Sequence, residues 1–372
     1  MSSRLKASIL YLGRECYGER RRVDSWVRIL SALGIEVDAV PLLRLHGSSK
    51  LTTVTSMDNY VPEARLWSWS SLESHLLAEK PDIVIGVTAR AWHKGLNDGP
   101  WKLVLDYVDT MSENYKIRAS LTTSPKQFLF KTLAKAHGKV ELNARNDFPE
   151  ASFVYAGYSE AKRRGALWIP NLAPISDNER RKLVQDPAAD LMFFGTLYTP
   201  INLNAIRVLS DMSHEIADRK VVIAGSRPTP EVQDMVKDHG WKLVASFPNI
   251  YSLRHLAKVA VAPLGPVTGI QNKVLEAAIA EIPQTITDSV AGGFEPGLSI
   301  TSSKSQADCV SEAIALADTP KHHRNDLAKF TKEIFEVEYG VERWSDRLAE
   351  ILDLEPVVYL NELSTPASSQ LL

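Results

Sequence analysis

The 372 residues carry 43 Lys and Arg against 45 Asp and Glu, a formal net charge of −2, so nothing global draws the chain to nucleic acid. With 44% hydrophobic and 24% charged residues the sequence is globular, and it is long enough for two domains of ordinary size. The two cysteines, Cys16 and Cys309, form no metal or redox motif. No apolar run suits a signal peptide or a membrane span, so a reduced cytoplasmic setting is expected.

Ser8–Leu12 reads as a short apolar strand ending at Gly13. A basic loop with Arg14, Arg20, Arg21 and Arg22 follows. Helical periodicity then runs over Val23–Leu33, Gly34 serves as its C-cap, and Ile35–Val40 is the next strand. This βαβ opening predicts a parallel sheet covered by helices. The loop after the first strand should face the central cleft, which makes Arg14 and Arg20 to Arg22 candidates for an anionic donor or acceptor, Arg14 and Arg21 foremost. A solvated arginine cluster is the alternative. Trp67 and Trp69 are either core anchors, the favoured reading, or faces on which a sugar stacks.

Pro81–Val87 and Lys102–Asp109 are read as buried strands. The second carries Asp106 and Asp109, carboxylates that could orient an acceptor hydroxyl or take its proton. Asp109 could equally cap a helix over Thr110–Ala119. The stretch 116–145 holds seven Lys or Arg and one acidic residue around Phe128, Leu129 and Phe130. It suits an ordinary solvated helix, slightly favoured, or peripheral contact with an anionic membrane face. Ser152–Ser159 and Ala166–Asn171 complete the first half, and a Pro-, Asp- and Asn-rich linker follows.

The βαβ pattern then restarts. Asp190–Gly195 is a strand whose closing Gly195, before Thr196, permits close backbone approach to a phosphate. A helix is expected over Asn202–Met212 and a strand over Lys220–Gly225, with Ser226 after it. Trp241–Val244 leads into Phe247 and Pro248, and Ser252–Ala257 reads as a short helix. Val259–Ala262 is a buried strand, broken by Pro263, Gly265, Pro266 and Gly269, after which helical spacing starts at Ile270 and ends before Pro283. A helix opening after such a turn offers unpaired N–H groups and a positive dipole end. Lys273 adds charge one turn in. Glu276 lies on the same face, roughly 4.5 Å further along the axis, about the offset from diphosphate to ribose. Spacing alone leaves two readings open, a nucleotide-diphosphate site or a solvated Lys–Glu pair. Beyond the strand Gln284–Asp288, Gly292–Phe294 reads as a flexible cleft loop, and amphipathic helices close the chain. No metal site is expected.

The stretch Gly269-Ile270-Gln271-Asn272-Lys273-Val274-Leu275-Glu276-Ala277 resembles the donor-binding motif of retaining glycosyltransferases of family 4 (group 1), in its bacterial GIQNKVLEA form. The resemblance implies an α/β GT-B fold, two Rossmann-like domains facing across a central cleft, with a C-terminal helix, anchored by Trp344, crossing back to the first domain. It divides the chain into an acceptor domain 1–172, a linker 173–189, a nucleotide-sugar domain 190–335, a returning helix 336–355 and a tail 356–372. Asp106-Tyr107-Val108-Asp109 resembles the acceptor-side segment of that branch, and Pro170-Asn171 the motif that closes the first domain.

Carried over residue by residue, Glu276 would bind the ribose, and Lys273 with the helix start at Gly269–Ile270 the diphosphate. Gly195, Thr196, Ser226, Phe247, Pro248, Thr268, Gln271 and Asn272 complete the donor side. Arg14, Arg21, Asp106 and Asp109 form the acceptor side, and Asp109, Lys273 and Glu276 the catalytic set. Two departures stand out. Thr268 occupies a position where many members carry glutamate, and Leu197–Asn204 lacks the usual loop cations, leaving Lys273 most of the charge.

The function so implied is hexosyl transfer, with retention, from a nucleotide-diphosphate sugar to a glycan, lipid-linked or small-molecule acceptor. UDP is expected as the commonest donor nucleotide. No metal, cofactor or nucleic-acid partner is expected, and the enzyme would be cytoplasmic or peripheral at the inner membrane face. A sugar-nucleotide epimerase of the same architecture, or a non-catalytic module binding nucleotide sugar or glycan, are the alternatives.

Overall fold

Apolar strands alternating with amphipathic helices bury both faces of a sheet when the sheet is parallel and helices cover it. The computed structural model, which describes residues 4–13, 17–44, 67–123, 125–175, 187–247, 249–298 and 300–354, does this twice. The first half supplies β1 (Lys6–Tyr11), α1 (Tyr17–Ala32), β2 (Glu36–Pro41), α2 (Trp69–Glu79), β3 (Ile83–Val87), β4 (Lys102–Asp106), α3 (Met111–Ser120), α4 (Lys126–Asp147), β5 (Ser152–Tyr155), α5 (Tyr158–Arg164) and β6 (Leu167–Trp168). The second supplies β7 (Ala189–Phe194), α6 (Pro200–Asp211), β8 (Val221–Ala224), α7 (Pro230–Asp238), β9 (Lys242–Val244), β10 (Ala257–Ala262), α8 (Asn272–Ile279), β11 (Gln284–Thr287), α9 (Asp288–Ala291), β12 (Thr301–Ser303), α10 (Gln306–Asp318), α11 (Lys321–Glu338) and α12 (Val341–Ile351).

The strands form two six-stranded sheets, ordered β2-β1-β3-β4-β5-β6 and β12-β11-β10-β7-β8-β9. Their described pairings are parallel. Ile9 lies opposite Ala39 and Ile85 in the first sheet, and Met192 opposite Val222 and Ala260 in the second. Strand order reverses between β1 and β3 and again between β7 and β10. The carboxyl-end crevices at those two points are where such sheets bind ligands.

Side-chain alternation places Ile9, Ile85 and Val104 on one face of the first sheet, under Trp26 and Ile29 of α1. Trp344 and Leu348 of α12 join the same cluster, so α12 packs back on the first half. Leu10, Val84 and Leu105 line the other face with Leu72 and Trp92. In the second half Phe193, Ile223 and Val261 pack with Ile206 and Val274, and Met192, Val222 and Ala260 with Ala277. Trp168 touches clusters of both halves and sits edge-on to Trp344, ring centres 4.8 Å apart.

Several expectations are corrected. The first helix begins at Tyr17, not Val23, so Arg20–Arg22 lie on α1 rather than in a loop. Its opening turns lack an apolar stripe because they face polar partners, described below. The strand expected over Lys102–Asp109 ends at Asp106. The backbone then turns through Val108 at φ +63°, and Asp109 sits in the loop. The short helix expected over Ser252–Ala257 is a 3-10 helix over Ile250–His255, and Ala257 already opens β10. Gly292 and Gly293 do not form a free loop, because their carbonyls accept the Ser159 and Tyr158 amides of α5 at 3.0 and 3.1 Å. Phe294 is buried against Tyr339. Trp67 is a buried core anchor, its indole N–H donating to the Arg90 carbonyl, and Trp69 stacks on His93.

Candidate functional site

At the reversal between β7 and β10, the loop after β7 meets the start of α8. Gly195 has φ +149° and Gly225 φ +147°. A Cβ on Gly225 would stand 1.7 Å from the Gly195 carbonyl oxygen, so these loops cross at a distance only glycine allows. Lys273 Nζ lies within 3.2 Å of where a Gly195 Cβ would be, donates to Asn202 Oδ1 at 2.8 Å, and sits 4.2 Å from the centre of the Phe193 ring. Burial pulls its pKa down to about 7, and Glu276 offsets only part of that. Thr196 turns the loop, its carbonyl accepting from Asn202 Nδ2 at 2.9 Å.

One turn along α8, Glu276 is buried, and burial raises its pKa. Its Oε1 accepts the hydroxyl of Tyr17, the first residue of α1, so the first half of the chain reaches across to the second. Arg21, one turn further along α1, is close enough to act electrostatically on Glu276 and donates to the Leu172 carbonyl at 3.1 Å.

The turn before α8 is held from the first half. Gly269, at φ +68°, leaves its amide to Glu160 Oε2 of α5 at 2.5 Å, while Glu160 Oε1 accepts the Thr110 amide at 2.8 Å. A carboxylate thus occupies one amide that the sequence offers to a phosphate. Burial and the neighbouring Asp109 push Glu160 up to about 7. Asp109 accepts from Asn114 Nδ2 at 2.9 Å and from Thr268 Oγ1 at 3.1 Å, so it lies on the seam between the two halves. Burial raises its pKa against the pull of Arg118 and Arg90. Asn272 Oδ1 accepts Asn171 Nδ2 at 2.8 Å, and Gln271 Nε2 reaches the Thr268 carbonyl at 3.2 Å.

The structure therefore brings together Gly195, Thr196, Thr268, Gly269, Ile270, Gln271, Asn272, Lys273 and Glu276, with Asp109 facing them. Ser226 is exposed beside the Gly195 loop, its carbonyl accepting the Leu197 amide. Phe247 follows β9 and packs partly against the cluster around Leu253 and Ala257. Arg14 and Pro248 lie outside the described residues. Asp106 is corrected: it has no exposed surface, and its carboxylate accepts from Arg22 Nε at 2.5 Å, Trp26 Nε1 at 2.6 Å and the Val108 amide. It braces the first domain internally and cannot meet an acceptor.

Tyr17, Asn114, Glu160 and Asn202 are site residues that the sequence reading missed. Their partners are 259, 154, 109 and 71 positions away, so no local spacing signals them. Among the described residues no group of three His, Cys, Asp or Glu is placed to hold a metal ion. No described helix is long and apolar enough to cross a membrane, although Phe128 and Leu129 on α4 are exposed.

Residues 188–316 match the model of a family described as glycosyl transferases group 1. A glycosyltransferase from Rickettsia africae is 10% identical with a TM-score of 0.55, over 94% of this chain and 98% of that one. HepE from Anabaena, in complex with UDP, is 12% identical with a TM-score of 0.51, over 94% of this chain and all of its own. TarM is 12% identical with a TM-score of 0.57, over 76% of this chain, and the match spans only 58% of TarM. No curated protein matches. The fold is GT-B, and within the second half residues 188–316 are similar to the group 1 glycosyltransferases.

Proposed function

We propose that the chain transfers a sugar from a nucleotide-diphosphate donor, UDP-linked, to a hydroxyl-bearing acceptor, with retention and without a metal. The observation that carries this is Lys273 Nζ lodged between Asn202 and the Gly195 loop at the second sheet's reversal, with Glu276 one turn along the same helix. Bond cleavage leaves charge on the diphosphate, and a lysine already desolvated there stabilises that charge as it develops. Glu276 receives the ribose hydroxyls. Asp109, on the opposite wall, orients the acceptor hydroxyl. The leaving phosphate takes its proton, so no separate nucleophile is needed. The UDP in the Anabaena structure, and the UDP with glucose in a second structure of that protein, support the choice of donor.

The test is a thermal-shift panel of UDP, GDP, ADP and dTDP, with and without EDTA. Ligand at a hundred times its Kd adds about 2.7 kcal/mol, which moves the midpoint of a chain this size by several degrees. UDP alone is expected to shift it, equally with EDTA. No shift with any nucleotide would overturn the reading.

A further inference from the structure

Helix α3, at the contact between the two halves, carries polar groups that the donor reading leaves unused. Thr110 caps α3, and Asn114 and Arg118 follow at four-residue spacing, so the three share one face of the helix. Each has a buried polar atom without a hydrogen-bond partner: Thr110 Oγ1, Asn114 Oδ1 and Arg118 Nε. Thr110 is fully buried and Asn114 is 6% exposed. An unmet buried polar atom costs about 1–3 kcal/mol, and three in one row along a single helix face ask for a common partner.

The row lies at the seam. Asn114 Nδ2 spends its donors on Asp109 and on Thr268 of the other half, which fixes the amide so that Oδ1 is the atom left over. The row is also chemically ordered, running from a hydroxyl through an amide acceptor to a guanidinium. At its far end Arg118 lies over the Tyr115 ring at 5.6 Å, and Tyr115 Oη accepts Arg90 Nη2 at 3.0 Å. Arg90 belongs to the turn after β3, at the first sheet's own reversal point. Two guanidinium groups thus flank one tyrosine beside Asp109, an arrangement that favours an anion.

We propose that Thr110, Asn114 and Arg118 form the acceptor subsite, and that the acceptor is a hydroxyl-rich molecule bearing one anionic group, a phosphate or a carboxylate. The anionic group pairs with Arg118 and Arg90, and a sugar hydroxyl donates to Asn114 Oδ1. This rests on the glycosyltransferase reading and names its acceptor class.

The test titrates the full chain, saturated with UDP so that the donor site is filled, with inorganic phosphate and separately with glucuronate, using glucose as the neutral control. Wild type is expected to bind at least one of the two anions more tightly than glucose. Arg118→Ala should weaken that binding about tenfold or more, with Arg118→Lys intermediate because it keeps charge without the fork. Asn114→Asp, which puts a carboxylate in the row, should weaken the anion as well. If neither anion binds better than glucose, or if Arg118→Ala leaves binding unchanged in a protein whose melting curve matches wild type, the subsite is wrong. Should UDP itself fail to bind, the donor reading falls. The same titrations without UDP then decide the subsite through its dependence on Arg118.

Discussion

The Tyr17 hydroxyl donates to Glu276 Oε1 across the seam, so the carboxylate proposed to receive ribose is already engaged by the facing half of the chain. Donor and tyrosine then compete for one acceptor. Removing the competitor favours the ligand: Tyr17→Phe is expected to bind UDP several-fold more tightly, within the roughly 0.5–3 kcal/mol that a hydrogen bond to a charged or neutral group contributes. Glu276→Ala should weaken UDP by about tenfold or more. Isothermal titration of both variants checks this, and a Tyr17→Phe that binds more weakly would place the tyrosine on the donor's side instead.

Lys273 carries a second consequence. Its pKa of about 7 leaves it largely neutral at pH 8, and a diphosphate beside it restores the charge. UDP binding should therefore take up about half a proton near pH 7 and close to one between about pH 8 and 9, and affinity should fall as pH rises through that range. Calorimetry in buffers of different ionisation enthalpy reads the uptake directly. Lys273→Met is expected to abolish it and to cost about 10- to 100-fold in affinity. The effect on folding has the opposite slope. Because the folded pKa lies below the unfolded 10.5, this group makes stability rise with pH between about 7 and 10.5.

These two residues also mark what the sequence made legible. Lys273 and Glu276 share a helix whose start is punctuated by Gly269 and whose apolar spacing is local, so a linear reading finds them. The parallel sheets were legible for the same reason, since each βαβ unit is continuous in the chain. Tyr17 was not, because its partner is 259 residues away and because YGERRR presents no apolar stripe. Asp106 and Asp109 look alike in sequence. What separates them is Arg22 and Trp26 beneath one and Asn114 and Thr268 beside the other, and only the fold supplies those neighbours.

Glu160 links both halves through the Thr110 and Gly269 amides, and burial with the neighbouring Asp109 raises its pKa from the ordinary glutamate value of 4.5 to about 7. In that interval the folded protein holds a proton that the unfolded chain has released, so this group makes stability fall as pH rises from about 4.5 to 7. The burial that causes the shift is worth roughly 3 kcal/mol over the full interval. Glu160→Gln removes the titration and should flatten the fall in melting temperature between pH 5 and 8. It also turns one acceptor into a donor facing an amide, so its midpoint at pH 5 should lie below wild type. An unchanged pH profile would show that Glu160 does not titrate there.

The last prediction separates the two aspartates by what each loss does. Asp106 and Arg22 both have fully buried side chains, 2.5 Å apart, and Arg22 Nη1 also donates to the Ile169 carbonyl at 2.8 Å. Removing one partner leaves the other charge buried and unpaired, which typically costs about 3–5 kcal/mol. Asp106→Ala should therefore lower the melting temperature by many degrees, whereas Asp109→Ala should leave folding far less affected and reduce transfer. Replacing both members of the pair, Arg22→Met with Asp106→Leu, should recover much of the stability lost in Asp106→Ala, because no charge is then stranded. Melting curves for the single and double variants decide it: an Asp106→Ala as stable as wild type would mean the pair contributes nothing, and the corrected assignment of Asp106 would have to be abandoned.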